Sequence, residues 1–190
     1  MKKFSSIIIA STLLLATTLA FAQKGTQQKS ATKFSSVYTD LNKECRSALT
    51  KEEEKESERI GEDIPFVCKG YGGYEISLAS HGAMTYLSVQ KKNAKQDEKS
   101  PVQEMMFIND PIYTRKVEWR LADGVPFAVI FRRDVYDDEP DPAQKKKIGE
   151  VLRVVGLRND KIDFEVDVKK SPNPNEEARR LADKAYTDAR

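Results

Sequence analysis

From Val117 to Phe131 the chain repeats an apolar residue at alternate positions, interrupted once at Asp123-Gly124. Val117, Trp119 and Leu121 share one side of an extended segment, because successive side chains of a strand point to opposite faces. Phe127, Val129 and Phe131 continue that side after the interruption. Asp-Gly is a strong two-residue hairpin signal, since glycine takes positive φ at no steric cost. Pro126 suits a strand start or an edge, where its missing N–H is not needed. Together these residues demand a hairpin with one buried face, and hence an antiparallel sheet.

Other stretches repeat the pattern. Tyr74, Ile76 and Leu78 alternate with smaller or polar residues, His81-Gly82 can turn the chain, and Ala83 to Gln90 returns as a second strand. Ile64 to Cys68 is a shorter apolar run. Val151 to Leu157 is apolar on both faces apart from Arg153, as in a central strand, and Arg158 to Lys161 turns the chain. Ile162, Phe164, Val166 and Val168 then alternate with Asp163, Glu165, Asp167 and Lys169, giving a strand with one wet face. The polar stretches 91–101 and 137–147, the latter with Pro140 and Pro142, read as loops.

Helical signals are fewer. Val37, Tyr38 and Leu41 suggest a short helix or turn before Cys45. Thr50 to Glu62 is dominated by charge and reads either as a solvated helix with mixed i,i+4 pairs or as a loop. Asn173 can cap a last helix, with Pro174 at its first position and Glu176 completing a capping-box-like arrangement. Ala178, Leu181, Ala182, Ala185 and Tyr186 recur at helical spacing as one apolar stripe. The expected class is α+β: a mainly antiparallel β-sheet of six to eight strands with a C-terminal amphipathic helix packed on it.

The N-terminus sets the compartment. Lys2 and Lys3 precede an apolar run from Ile7 to Ala20 that closes with Ala20-Phe21-Ala22. This is the layout of a cleavable secretory signal peptide, because signal peptidase accepts small residues at the last and third-last positions. Ser11, Thr12, Thr17 and Thr18 interrupt the run, which argues against a membrane anchor. No cysteine follows it, which excludes the lipid-modified export route. The expected domains are a signal peptide at 1–22, a disordered mature N-terminus at 23–33 and a single β-rich domain at 34–190. Export places the mature chain in the periplasm or outside the cell.

Removing 22 of the 190 residues leaves 168, enough for one domain with a core. Lys2 and Lys3 leave with the signal, so 30 basic residues face 30 acidic ones. The mature chain is formally neutral, and an overall electrostatic case for nucleic acid or anionic membrane falls away. No later segment is apolar enough for stable membrane insertion. Cys45 and Cys68 are the two cysteines. An oxidising compartment and an even count predict a disulfide. With one histidine in the chain, a Cys/His zinc site lacks ligands.

Candidate chemistry is sparse. His81 would have to serve as the base for any serine nucleophile, yet it sits where a polar turn residue is ordinary. The glycines around Tyr71 and Tyr74 could admit a ligand close to the backbone, or could form a bulge after Cys68. Their spacing lacks the strand–loop–helix setting of a phosphate loop. Asp137, Asp138, Glu139 and Asp141 could offer oxygen ligands to Ca²⁺, but they lack the glycine turn and distal Glu of an EF-hand loop. Glu75, Glu118 and Glu165 lie on polar strand faces, where an ordinary Glu also lies. Trp119 could stack on a sugar, although its alternating position favours the core. No metal or cofactor is expected. The candidate partner surface is Tyr71, Tyr74, Ser80, His81 and Tyr86.

Three segments carry a family resemblance. They are Val37-Tyr38-Thr39-Asp40-Leu41 with Cys45 and the Cys68 to Tyr74 run, then Glu118-Trp119-Arg120 with Gly124-Val125-Pro126-Phe127-Ala128, then Asn173-Pro174-Asn175 with Ala178-Arg179 and Ala182-Asp183. Their order resembles small exported proteins of Gram-negative bacteria to which no activity is assigned. The resemblance spans Val37 to Asp183 and implies a periplasmic address. Separately, Ser80 to Tyr86 is similar to the Ser-Gly-x-x-Tyr loop of periplasmic lysozyme inhibitors, with His81 inserted between Ser80 and Gly82.

The expected function is non-catalytic binding of an envelope protein or cell-wall ligand by loops on a stapled sheet. The alternatives are an envelope hydrolase acting on glycans or esters, and a lysozyme inhibitor.

Overall fold

The computed structural model describes residues 31–95, 99–107, 110–141, 144–158 and 161–190. The expected signal peptide, residues 23–30 of the polar N-terminal segment, Pro142 and Asn159-Asp160 of the third turn lie outside the described residues.

Among the described residues, ten strands form two antiparallel sheets of five, in place of the single sheet of six to eight expected from the sequence. Strand β1 (Phe34–Asp40) joins the first sheet. The chain then builds the second sheet as a meander: β2 (Cys45–Ser47), β3 (Phe66–Lys69), β4 (Tyr74–His81), β5 (Met84–Lys91) and β6 (Val102–Phe107). It returns to the first sheet through β7 (Lys116–Ala122), β8 (Val125–Tyr136), β9 (Lys147–Gly156) and β10 (Asp163–Asp167), then ends in a helix. The first sheet has the order β1-β7-β8-β9-β10 and the second β2-β3-β4-β5-β6.

The segment read as a helix or turn at Val37 and Tyr38 is β1, and the helix that follows, α1 (Leu41–Glu44), is a single turn. The charged stretch is the helix α2 (Lys51–Ile60), inside the disulfide loop. Thr50 and Glu53 close a reciprocal capping box at its start, and Gly61 ends it in the left-handed conformation. The capping box expected for the last helix, α3 (Pro174–Asp188), does not form. Asn173 offers no side-chain bond there, and its carbonyl accepts from the Glu177 N–H instead. Among the described residues, no helix is long and apolar enough to cross a membrane.

The first sheet is covered on both faces. Val117, Trp119, Leu121, Val129 and Phe131 pack against Ile76, Leu78, Leu87 and Val89 of the second sheet. Ala128, Ile130, Leu152 and Val154 pack on the opposite side against Ala178 and Ala182 of α3. A Phe34, Phe127 and Tyr186 ring cluster closes one end of that layer, with centroids 4.5 to 5.9 Å apart. The molecule is therefore three layers: second sheet, first sheet, helix.

Double coverage explains two buried charges. Glu118 and Arg120 face α3, where Arg179 and Asp183 meet them. Arg120 bonds Asp183 through Nε at 2.7 Å and Nη2 at 2.5 Å, and Ser36 through Nη1 at 3.0 Å. Arg179 bonds Glu118 and also donates to the Tyr38 hydroxyl. Burial beside the Glu118 carboxylate raises the Tyr38 pKa. Tyr38, Glu118, Arg120, Arg179 and Asp183 together clamp the helix to the sheet.

Candidate functional site

The second sheet is covered on one face only. Its inward residues, Tyr74, Ile76, Leu78, Thr85, Leu87, Val89, Val102 and Met106, are buried. Its outward residues are half-buried or exposed along β4, β5 and β6. Tyr86 and Met105 are cross-strand partners on this bare face, 38% and 55% exposed. Met106, one position on, is 3% exposed because it points the other way.

The five expected surface residues divide between the two faces. His81 is exposed and follows the outward parity of Tyr86. Tyr74 is 2% exposed and sits against Trp119, with ring centroids 6.2 Å apart. Ser80 takes the inward parity, where its hydroxyl bonds Thr85 at 3.2 Å and the Tyr113 hydroxyl at 3.3 Å. Tyr71 is half-buried against the core between the sheets. Thus only His81 and Tyr86 of the five share the bare face. Ser80 and His81 are adjacent in sequence but project to opposite sides of β4.

The turn between β4 and β5 centres on Gly82-Ala83, one residue later than expected, with His81 opposite Met84. In the β3–β4 loop a Cβ on Gly72 would lie 2.5 Å from the Pro126 ring. That glycine is required for packing of the loop on β8.

One end of the bare face is stapled. Cys45 and Cys68 pair across β2 and β3 and form the expected disulfide. Lys43, Arg46, Lys69 and Lys92 line a groove beside it, with Glu44, Glu75 and Val67. From the Lys69–Glu75 pair to the His81–Met84 pair, β4 advances six residues. At about 3.3 Å per residue the two ends are roughly 20 Å apart. Outward polar side chains Ser77, Ser88 and Gln103 occupy the middle.

The carboxylates of interest are dispersed and already engaged. Glu75 accepts from Gln90 at 3.2 Å, Glu118 is held by Arg179 and Ser36, and Glu165 pairs with Arg133. Trp119 is fully buried and donates to the Thr39 hydroxyl at 2.9 Å. In the acidic loop, Asp137 accepts the Lys146 N–H and Glu139 accepts the Asp141 N–H. Among the described residues, no three His, Cys, Asp or Glu side chains converge to hold a metal ion.

A second buried charge cluster ties the end of the first sheet together. Arg115 pairs with Asp134, which also meets Lys147 at 3.1 Å. Asp110 accepts the Asp134 N–H at 2.6 Å, and burial of its carboxyl raises its pKa. Lys147 and Arg132 both donate to Glu150, which lowers its pKa to about 2. Arg153 of β9 reaches Glu104 of β6 and so bridges the two sheets. Every charge in these clusters has an oppositely charged partner. The arrangement stabilises the fold, and the shallow hollows beside it, lined by Arg115 and Arg132 and by Lys147 and Glu150, hold charges that are already paired.

Met105 is the site residue that the sequence reading missed. Its signal was available, because Val-Gln-Glu-Met-Met-Phe places Val102 and Met106 on one parity and Met105 on the other. Comparison with known protein families, curated proteins and solved structures gives no match.

Proposed function

We propose that this chain is an exported envelope protein that acts as a non-catalytic binding module, with the bare face of the second sheet as its contact surface. One observation carries the reading: the first sheet carries a packed layer on each face, whereas the second is covered on one face only and exposes Tyr86 and Met105 side by side on the other. Aromatic and methionine side chains are enriched in protein contact surfaces; tyrosine gives area at small entropic cost, and the flexible thioether of methionine adapts to a partner's shape. The disulfide and the signal-like N-terminus support an extracytoplasmic address.

Hydrolysis finds less support. It needs His81 within reach of a serine, or two convergent acids. Ser80 and His81 take opposite faces, and Glu75, Glu118 and Glu165 are bound to separate partners.

The test places a photo-crosslinking residue at position 86 of the mature protein, with position 148 of β9 as the exposed control. Irradiation in envelope extract should give a discrete adduct from position 86 and none from position 148. Lysozyme added as a defined partner examines the inhibitor alternative. Equal labelling from both positions, or turnover of glycan or ester substrates that survives repurification, would refute the proposal.

A further inference from the structure

Neutrality of the chain hides a local imbalance. Lys43 of α1, Arg46 of β2, Lys69 of β3 and Lys92 after β5 line the groove beside the disulfide, whose volume is about 440 Å3. The two carboxylates there are committed to the fold: Glu44 accepts the Asp40 N–H at 3.1 Å, and Glu75 accepts from Gln90. Lys43 approaches Asp40 only to 3.7 Å, and Arg46 donates to the Ser47 carbonyl at 3.4 Å. Among the described residues, Lys69 and Lys92 have no ion-pair partner.

Four cations, from α1, β2, β3 and the turn after β5, thus share one groove with two acids. Charges within about 8 Å of one another are poorly screened at physiological ionic strength. Their mutual repulsion opposes folding, and a bound anion relieves it. The disulfide fixes β2 on β3, and with it Arg46 near Lys69. A guanidinium fork flanked by ammonium groups suits phosphate oxygens, the fork by bidentate bonding and the ammonium groups as point charges.

We propose that this groove binds a phosphate-bearing ligand of at least two negative charges, an assignment that rests on reading the bare face as the binding surface. The phosphate could be free or could be a lipid headgroup, and two arms of one experiment separate the sources. The oxidised mature protein is titrated calorimetrically with inorganic pyrophosphate in 150 mM salt, about the physiological value. In parallel it is floated with phosphatidylcholine vesicles with and without phosphatidylglycerol.

One saturable site is expected. Lys69→Gln and Lys92→Gln should each weaken it about fivefold, the loss of one favourable exposed charge pair. Lys116→Gln, on the first sheet, should leave it unchanged. Pyrophosphate binding without flotation identifies a free phosphate ligand. Flotation that requires phosphatidylglycerol and is competed by pyrophosphate identifies a headgroup. Absence of saturable binding in both arms overturns the proposal. So does binding that both groove variants leave intact, or an effect that sodium chloride reproduces at equal ionic strength. Failure here with a retained adduct at position 86 would refute the phosphate groove alone. Loss of both would also refute the binding face.

Discussion

The clamp between α3 and the first sheet can be tested by Asp183→Ala. Asp183 accepts two hydrogen bonds from Arg120, at 2.7 and 2.5 Å, in a bidentate pair. The side chains are 11% and 21% exposed, so removal of the acid strands a guanidinium with little access to water. Breaking a fully buried pair costs about 3–5 kcal/mol. Arg120 retains the Ser36 hydroxyl and lies 5.7 Å from the Phe34 ring, and some water reaches the gap. The expected loss is therefore about 2–3 kcal/mol. Urea unfolding of the oxidised protein reads it as a midpoint shift of roughly 1 M, for an m-value of about 2–3 kcal/mol/M. The second half of the test is Arg120→Met with Asp183→Leu. Replacing both charges by apolar groups leaves no stranded ion, so the double variant should lose less than the sum of the single ones, with a coupling of about 1–2 kcal/mol. A loss under about 0.5 kcal/mol for Asp183→Ala, or strict additivity, would refute the claim that this pair is buried and interdependent.

Replacing both cysteines, 23 positions apart, by alanine should lower stability by roughly 3 kcal/mol on the chain-entropy model, read by the same unfolding assay. Gly72→Ala should lower the melting temperature, because its Cβ meets the Pro126 ring at 2.5 Å and its φ is +59°; Gly73→Ala, with no atom near its Cβ, should cost less despite its own positive φ. Glu150 has a depressed pKa of about 2, so its stabilisation is present above the ordinary carboxylate range and fades as pH falls toward 2. Glu150→Gln should therefore cost about 1 kcal/mol at pH 7, after allowance for its partial exposure, and little at pH 2; an equal cost at both values, by urea unfolding, would exclude the linkage.

The sequence displays the hairpins because local chemistry makes them. Asp123 and Gly124 both take positive φ, at 51° and 82°, and the flanking alternation fixes the side of Val117, Trp119, Leu121, Val129 and Phe131, whereas Phe127, expected on that side, joins the helix side beside an irregularity in the β7–β8 register. The second sheet and the helix are less visible as layers. Alternation marks Glu118 and Arg120 as wet, yet α3 buries them by bringing neutralising partners about 60 residues away. Strand β1 escapes notice because Ser35, Ser36 and Thr39 dilute its apolar content, while pairing with β7 supplies what propensity does not. Thr50-x-x-Glu53 is a legible capping box, whereas Asn173 and Glu176 have suitable side chains but do not bond.

The same reasoning explains the divided site. Tyr74 and Ser80 share the parity of Ile76 and Leu78, so their inward direction was implicit in the strand period. Exposure of Tyr86 and Met105 depends on β6 pairing with β5, and the dissimilar strands 84–91 and 102–107 do not announce that pairing. The basic groove draws its cations from α1, β2, β3 and the turn after β5 and has no linear signature.

The bare face can be tested directly by oxidative footprinting of the mature protein, alone and in envelope extract. Alone, Met105 should react readily and Met106 should be protected. In extract, binding through this face predicts that Tyr86, Met84 and Met105 become protected while Tyr38 and Ile148, exposed on the first sheet, stay reactive. Protection confined to Tyr38 and Ile148, with Tyr86 and Met105 unchanged, would contradict the assignment.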